Sequence, residues 1–507
     1  MAPRRKRPYI RKEVDNRHDL RPKTKGSASA LLSEPKEICS TVNSMREAEC
    51  SRHFGFEGKR GRKKSTWNLD TIPEEVLLQI LSFFTPLQLV RFIGPACRRT
   101  LEFSRYPELW RRLKLDNALE PPPSPGGAQP PNPGLPTVAS RLLSMAGTHL
   151  HVLEIADRRD AASLVEQATA VGGSPPPQLR SLIIRRIPGP FPAKVLLRAL
   201  RKFPGIRKLV LNDIRRLRSR VFFQDLGSKL PHLSHLDVSH CPQFGTSALA
   251  AVATSGLALR ELMAFRERGY RSTMPHATDE DFSLFCAHMK DSIEVIKINA
   301  IALTDESCKM LVKCIHLTTL HLRDARGFSA RGILKIVRHL TQLISLDLSG
   351  AILLSSGNWA EIFANMVAAP RLQVLKLAGC FGIDDFSAEH MNFPALRHLS
   401  LGGCFLLGEA GFCAIITRCN NLCHLDLEGT GPALCSCLHL IPVYTPKLEM
   451  LVFPLSNCPI DFWAQLLLKM KHLKLCDRNE PERVQFWRDV AVEDELRRLN
   501  ENQVAQM

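Results

Sequence analysis

The sequence predicts an α/β solenoid: short parallel strands stacked along one face, helices along the other, and a small helical segment ahead of the array. Three observations predict it. A phrase of the form L-x-x-L-x-L recurs at near-constant spacing, as in "LSHLDVSHC" (233–241), "LQVLKLAGC" (372–380) and "LRHLSLGGC" (396–404). A small residue stands eight positions after the first leucine of many copies, and stretches of helical periodicity separate them.

The copies start at Leu150, Leu179, Ile206, Leu233, Leu259, Ile293, Leu317, Leu343, Leu372, Leu396, Leu422 and Leu448, with a degenerate thirteenth at Met470. Successive starts lie 22–29 residues apart, except for one insertion that stretches the fifth unit to 34. A period of this size marks strand–turn–helix units that cover their apolar faces only by stacking. In "LRHLSL", Leu396, Leu399 and Leu401 face the core, while His398 and Ser400 flank Leu399 on the opposite face. Cys241, Cys380 and Cys404 fill the inward-turning eighth position, where Ala325, Ala351 and Thr430 stand in other units. A buried cysteine suits that place as a compact hydrophobe with a weak donor.

Between strands, "TDESCKMLVKC" (304–314) places Cys308, Leu311 and Val312 on one helical face, with Thr304 or Asp305 as cap. "SARGILKIVRHL" (329–340) does the same with Ile333, Ile336, Val337 and Leu340. After residue 476, "PERVQFWRDVAVEDELRRLNE" reads as an amphipathic helix closing the open end.

Ahead of the array, residues 70–115 read as three short helices. Thr71 and Glu74 suggest a capping box with Pro73 in the first turn, and Val76, Leu77, Ile80 and Leu81 form an apolar stripe. Thr85-Pro86-Leu87-Gln88 repeats the signature, Gly94-Pro95 ends the second helix, and Ala96 to Phe103 forms the third. Leu109-Trp110 follows as an anchor. So short a segment buries little core alone, so its stripe faces either a partner or the first repeat as a cap.

Composition limits the function. Hydrophobic residues make up 45% of the 507, and no run of eighteen apolar residues could cross a bilayer. The amino terminus lacks a signal peptide's apolar core, so the 16 cysteines are expected as reduced thiols. Residues 1–66 hold 18 Lys+Arg against 8 Asp+Glu, which is +10 of the chain's +18. Within this arm "PRRKRP" (3–8) and Lys59, Arg60, Arg62, Lys63 and Lys64 read as nuclear-import addresses, with DNA contact as a further option. "EPPPSPGGAQPPNPGLP" (120–136) is a stiff linker. The expected layout is arm (1–66), helical segment (67–116), linker (117–137), about 12–13 repeat units (138–476) and helical tail (477–507).

No phosphate loop, His-Glu-x-x-His or Gly-x-Ser-x-Gly occurs, so neither cofactor nor metal is expected. Cys419, Cys423 and His424 are a poor metal set: Cys419 holds a core position and His424 points to the exposed face. Cys435 and Cys437 read as packing or idle thiols. The second and fourth positions after each first leucine carry charges of both signs, which disfavours a single-sign ligand such as RNA. His321, Lys376, His398, His424 and Asp426 are the candidates for holding a protein partner.

The units resemble the cysteine-containing class of leucine-rich repeat, a horseshoe fold. "CIHLTTLHLRDA" (314–325) and "CNNLCHLDLEGT" (419–430) keep the cysteine three residues before the first leucine, and "ALTDESCKMLVKC" resembles the helix segment of that class. The earlier segment resembles an F-box: Ile72-Pro73-x-Glu75 for "LPxE", Ile80 and Leu81 in the first helix, Leu87 and Val90 in the second, Cys97-Arg98-Arg99 for "VCxxW", and Leu109-Trp110 for the closing "LW". Thr100 stands where the family usually has tryptophan. The resemblance covers residues 69 to about 476. It implies a non-catalytic substrate receptor of an SCF-type cullin ubiquitin ligase in nucleus and cytoplasm. Pro73, Leu77, Ile80, Leu81, Leu87, Val90, Cys97 and Trp110 would dock the adaptor, and through it cullin, while the repeats hold a protein substrate. The competing reading is a nuclear repeat scaffold, outside any ligase, whose basic arm contacts nucleic acid.

Overall fold

The computed structural model describes residues 72–117, 137–170, 175–189, 191–214, 220–241, 244–266, 277–454 and 457–477. The arm with its import clusters, Thr71, nearly all of the Pro/Gly-rich stretch and the tail helix lie outside the described residues.

Fourteen strands form one parallel sheet in sequence order. They are β1 (Arg112–Leu115), β2 (Val152–Ala156), β3 (Ser181–Ile187), β4 (Lys208–Ile214), β5 (His235–Asp237), β6 (Glu261–Ala264) and β7 (Val295–Asn299). The series continues with β8 (Thr319–Arg323), β9 (Ser345–Asp347), β10 (Val374–Lys376), β11 (His398–Ser400), β12 (His424–Asp426), β13 (Met450–Val452) and β14 (Lys474–Cys476). Equivalent leucines of successive phrases face one another across the ladder, as Leu375, Leu399, Leu425 and Leu451 do. They are almost wholly buried, so the parallel sheet hides one face under helices and presents the other.

The buried cysteines fit the role the spacing gives them. Cys241, Cys380 and Cys404 donate their thiols to the carbonyls of Leu211 (2.8 Å), Leu348 (3.4 Å) and Leu377 (3.4 Å), each in the preceding unit. Burial pushes the Cys241 and Cys404 thiols up to about 12, so both stay protonated at neutral pH. Cys314 and Cys419 are fully buried as well.

Seven residues after the first leucine the backbone turns left-handed in most units. Asp157, Arg186, Asp213, His240 and Asp324 take positive φ in the first part of the array; Gly350, Gly379, Gly403 and Gly429 take it in the second. Glycine carries no penalty there, and aspartate, with asparagine, is among the residues with a Cβ that tolerate it best.

Aspartates tie neighbouring units together on the helical side. Asp279 accepts from Thr304 N (2.8 Å) and Thr304 Oγ1 (2.7 Å), Asp305 accepts from Ser329 N (2.9 Å), and Asp385 accepts from Gly408 N (2.6 Å) and Gly411 N (3.0 Å). Thr304 and Asp305 therefore do not cap their own helix, which spans only Cys308–Leu311 with Ser307 before it. Asp305 is committed to the adjacent unit, while Thr304 Oγ1 also accepts from Glu306 N (3.3 Å) in the turn ahead of that helix. The Ala330–His339 helix follows the pattern, with Ile333, Ile336 and Val337 buried.

The structure adds one strand and corrects three further expectations. Ahead of the thirteen strands of residues 138–476, β1 lies within the segment assigned to the small helical domain and pairs with β2. The last strand is displaced by two residues, Leu451 facing Leu475 instead of Leu473; a shift of two preserves the inward face. Cys435 and Cys458 form a disulfide, their Cα atoms 5.7 Å apart in successive units, so not every thiol is reduced. The third helix starts at Arg98 and not Ala96, since Cys97 is extended (φ −157°) as its N-cap.

Candidate functional site

Two surfaces carry the residues singled out by sequence. The first is built by α1 (Glu74–Ser82), α2 (Pro86–Gln88), the π-turn Leu89–Ile93 that continues it, and α3 (Arg98–Phe103). Pro73 stands at the N-cap of α1, before the first turn, and makes no side-chain cap. Thr85 and Gln88 form the expected capping box: Gln88 N donates to Thr85 Oγ1 (3.3 Å) and Thr85 N to Gln88 Oε1 (2.9 Å). At α3 the box is built from Cys97 and Thr100, Thr100 N donating to Cys97 Sγ (3.4 Å) and Cys97 N to Thr100 Oγ1 (3.1 Å). Thr100 is thus a buried capping residue in place of the family's tryptophan.

Leu77, Leu81, Leu89 and Phe103 form a small core of their own. Of the residues expected at the adaptor, Leu77 and Leu81 point inward, and Trp110 lies buried in the core of the repeats, its Nε1 donating to Ser104 O at 2.8 Å. Leu87, Val90 and Cys97 are half-buried, and Pro73 and Ile80 are exposed. Exposed apolar side chains are Val76 (44% exposed) and Ile80 (38%) on α1, Phe83 (76%) just after it, and Phe92 (53%) on the π-turn. Val76, Ile80 and Phe83 follow i, i+4, i+7 spacing, a second stripe beside the buried one. Phe83 and Phe92 were not nominated from sequence, because periodicity alone does not say which stripe α3 covers.

The second surface is the exposed face of β8–β12. Cross-strand register aligns His321, Asp347, Lys376, Ser400 and Asp426 in one row, and Val374, His398, His424 and Met450 in the row beside it. Lys376, His398, His424 and Asp426 therefore stand on three adjacent strands, and His321 two strands away from Lys376. His321 Nε2 lies 2.8 Å from Ser345 Oγ. Burial lowers its pKa to about 4, with Asp347 opposing and Lys297 and Lys376 reinforcing that shift. Burial and then the neighbouring His424 lower the His398 pKa as well. Ser400 Oγ donates to Asp426 Oδ2 (2.9 Å). The surface is preorganised, mixed in charge and flanked by apolar side chains; among the described residues no three His, Cys, Asp or Glu side chains are grouped to hold a metal ion.

Comparison with known proteins finds a match for the segment that carries the first surface. Residues 69–116 match the family model described as F-box-like. No curated protein matches the chain. Among solved structures it is similar to the complex of Rad7 and Elc1 in yeast, at 13% identity over 79% of this chain and 94% of that one, with a TM-score of 0.48. It is also similar to a leucine-rich-repeat protein of Leptospira interrogans (10% identity, 72% and 95% covered, TM-score 0.30). A third is a leucine-rich-repeat-containing protein of Legionella pneumophila (15% identity, 62% and 87% covered, TM-score 0.35). The repeat fold of this chain rests on its own sheet: fourteen parallel strands in sequence order, with helices between them.

Proposed function

We propose that the chain is the non-catalytic substrate-recognition subunit of an SCF-type ubiquitin ligase. The F-box-like segment docks the adaptor subunit and thereby cullin; the exposed sheet face holds the protein substrate; catalysis belongs to other subunits. One observation carries the reading. An F-box-like segment with its own buried core leaves Val76, Ile80, Phe83 and Phe92 exposed. Apolar side chains grouped on a small domain in this way mark an interaction surface. The β8–β12 face supplies what a folded partner needs, fixed polar groups beside Val374 and Met450. The basic clusters of the arm give the receptor access to the nucleus.

Affinity purification of the full chain tests this. The unmodified protein should retain adaptor and cullin, and the triple substitution Ile80→Ala, Phe83→Ala, Phe92→Ala should lose both while the thermal midpoint holds. Truncating such anchors costs about 2 kcal/mol or more, roughly thirtyfold in affinity. An unmodified protein that retains no adaptor under gentle conditions sinks the assignment and leaves a repeat scaffold outside the ligase.

A further inference from the structure

Beyond the arm, the sequence is most basic in the first part of the repeat array. Residues 137–266 contain 19 Lys+Arg against 8 Asp+Glu, a net +11 within a chain of +18. The arm contributes +10, so the rest of the chain is slightly acidic. Because strands are parallel, all of them begin at one edge of the sheet, and the helices between them end there. Over β2–β5 that edge is formed by segments 147–152, 178–181, 201–208 and 229–235, which contain no aspartate or glutamate. They contain Arg180, Arg201, Lys202, Arg207, Lys208 and Lys229, of which the first five are exposed and Lys229 half-buried.

These cations are not consumed by the fold. Arg180 Nη1 reaches the Gly205 carbonyl at 3.3 Å, Lys202 Nζ reaches Thr169 Oγ1 at 3.4 Å and Lys229 Nζ reaches Ser228 Oγ at 2.9 Å, all neutral partners. At the opposite edge of the same units arginines are paired: Arg186 with Asp157 at 2.6 Å and Arg158 with Asp160 at 2.7 Å. Arg201, Lys202 and Lys229 also complement the carboxyl ends of their helices. Arg180, Arg207 and Lys208 stand at strand starts and have no such role.

We infer that this edge is a sequence-independent docking surface for the phosphate backbone of double-stranded nucleic acid. Phosphate contacts need closely spaced cations and nothing else, and adjacent strands set these about 4.8 Å apart. A protein partner would need an apolar anchor. Among the described residues of 137–266 the exposed large apolar side chains are Met145 and Val221, both on helices, so the edge offers none. Single strands held by base stacking would favour exposed Phe, Tyr or Trp; the edge has none, its exposed rings being the imidazoles of His149 and His232.

The test uses the full chain and a fluorescent 20-base-pair duplex of random sequence, titrated at several salt concentrations. Reversing Arg180→Glu, Arg207→Glu and Lys208→Glu should weaken binding at least tenfold. It should also lower the salt slope by about 2.7, the value for three lost phosphate contacts. A control of equal charge change elsewhere, Lys290→Glu, Lys309→Glu and Arg331→Glu, should stay within twofold; the basic arm is common to all three proteins and cancels. Equal losses in both triples would reduce the effect to net charge and overturn the inference, as would no loss in the edge triple. Displacement of the duplex by a poly-glutamate peptide of equal charge at lower concentration would also overturn it, assigning the edge to acidic protein segments. The triple Arg180→Gln, Arg207→Gln, Lys208→Gln repeats the measurement should the reversed protein melt early. Adaptor retention is read in parallel and should be unaffected, so this surface stands or falls apart from the ligase assignment.

Discussion

The imidazoles of His398 and His424 stack across β11 and β12, ring centroids 4.3 Å apart and planes 20° from parallel. Protonating one ring would place a charge against its neighbour in a half-buried setting, and the His398 pKa is lowered by burial first and His424 second. Two strands away from Lys376, His321 is held down to about 4 by burial. His321 and His398 are therefore both shifted toward their neutral forms on the candidate binding face.

That has a consequence for stability against pH. An unfolded histidine titrates near 6.5, so as pH falls below this value the unfolded chain takes up protons that the folded chain refuses. Stability should decline from about pH 6.5 toward pH 4, the window set by His321. His321→Gln should remove part of that decline and leave stability above pH 7 nearly unchanged. Urea midpoints measured across the range decide it; parallel declines in both proteins would refute the assignment of the proton uptake to His321.

The two faces of the sheet should respond oppositely to truncation. Lys376→Ala is exposed and should cost within about 0.5 kcal/mol, while Leu399→Ala and Leu425→Ala open voids in the core and should each cost about 2–5 kcal/mol. Partner capture should show the reverse order once stability is matched by temperature. Capture that survives Lys376→Ala, His398→Ala, His424→Ala and Asp426→Ala together would move the substrate site off this face.

The left-handed turn makes a sharper backbone prediction. Gly403 has φ +77°, and an added Cβ would meet nothing closer than Gly379 N at 3.6 Å. Its cost is therefore conformational, about 1–2 kcal/mol for Gly403→Ala. Gly402, its neighbour, lacks a positive φ and would meet Glu428 O at 3.4 Å. Gly402→Ala should be close to neutral by thermal melting, and equal effects at the two positions would contradict the turn.

Most of the fold was legible because one apolar phrase repeats, and its failures are physical. Trp110 occupies the first-leucine place of "WRRLKL", so the leading strand escaped a search for leucine although Leu113 and Leu115 stood in register. The left-handed position was hidden because aspartate, arginine, histidine and glycine all fill it. The Cys435–Cys458 bond joins residues 23 apart, a distance that only the stacking of two units closes. In the F-box-like segment the apolar stripe was legible, but Leu77 and Leu81 turn inward beneath Phe103, leaving Val76 and Phe83 outside. The basic edge was invisible to a reading of strand faces, since its residues precede the strands or begin them.

The aspartate ties between units should be local in effect. Asp385 accepts from the backbone of Gly408 and Gly411 at the start of the next helix. Asp385→Ala leaves those amides without their acceptor and should cost about 1–3 kcal/mol. Hydrogen exchange should accelerate first at residues 408–412 and leave distant strands such as β3 unchanged. Uniform acceleration along the array would mean that the tie acts on global stability instead.

The F-box-like segment and the repeats share a seam, and Trp110 is its centre. The side chain is buried in the repeat core, its Nε1 donates to Ser104 O after α3, and the strand that follows it pairs with β2. The helices thus leave an outward apolar face while their exit strand closes the first edge of the sheet. Trp110→Ala should cost about 3–5 kcal/mol and loosen β1 from β2, seen as faster exchange at Val152–Ala156. Removing residues 69–116 should do more, baring an unpaired parallel edge and promoting association. By contrast, the Ile80→Ala, Phe83→Ala, Phe92→Ala protein should remain monodisperse. If the shortened chain were instead as soluble and stable as the whole, the seam would be a mere contact, and the F-box-like segment a separable module.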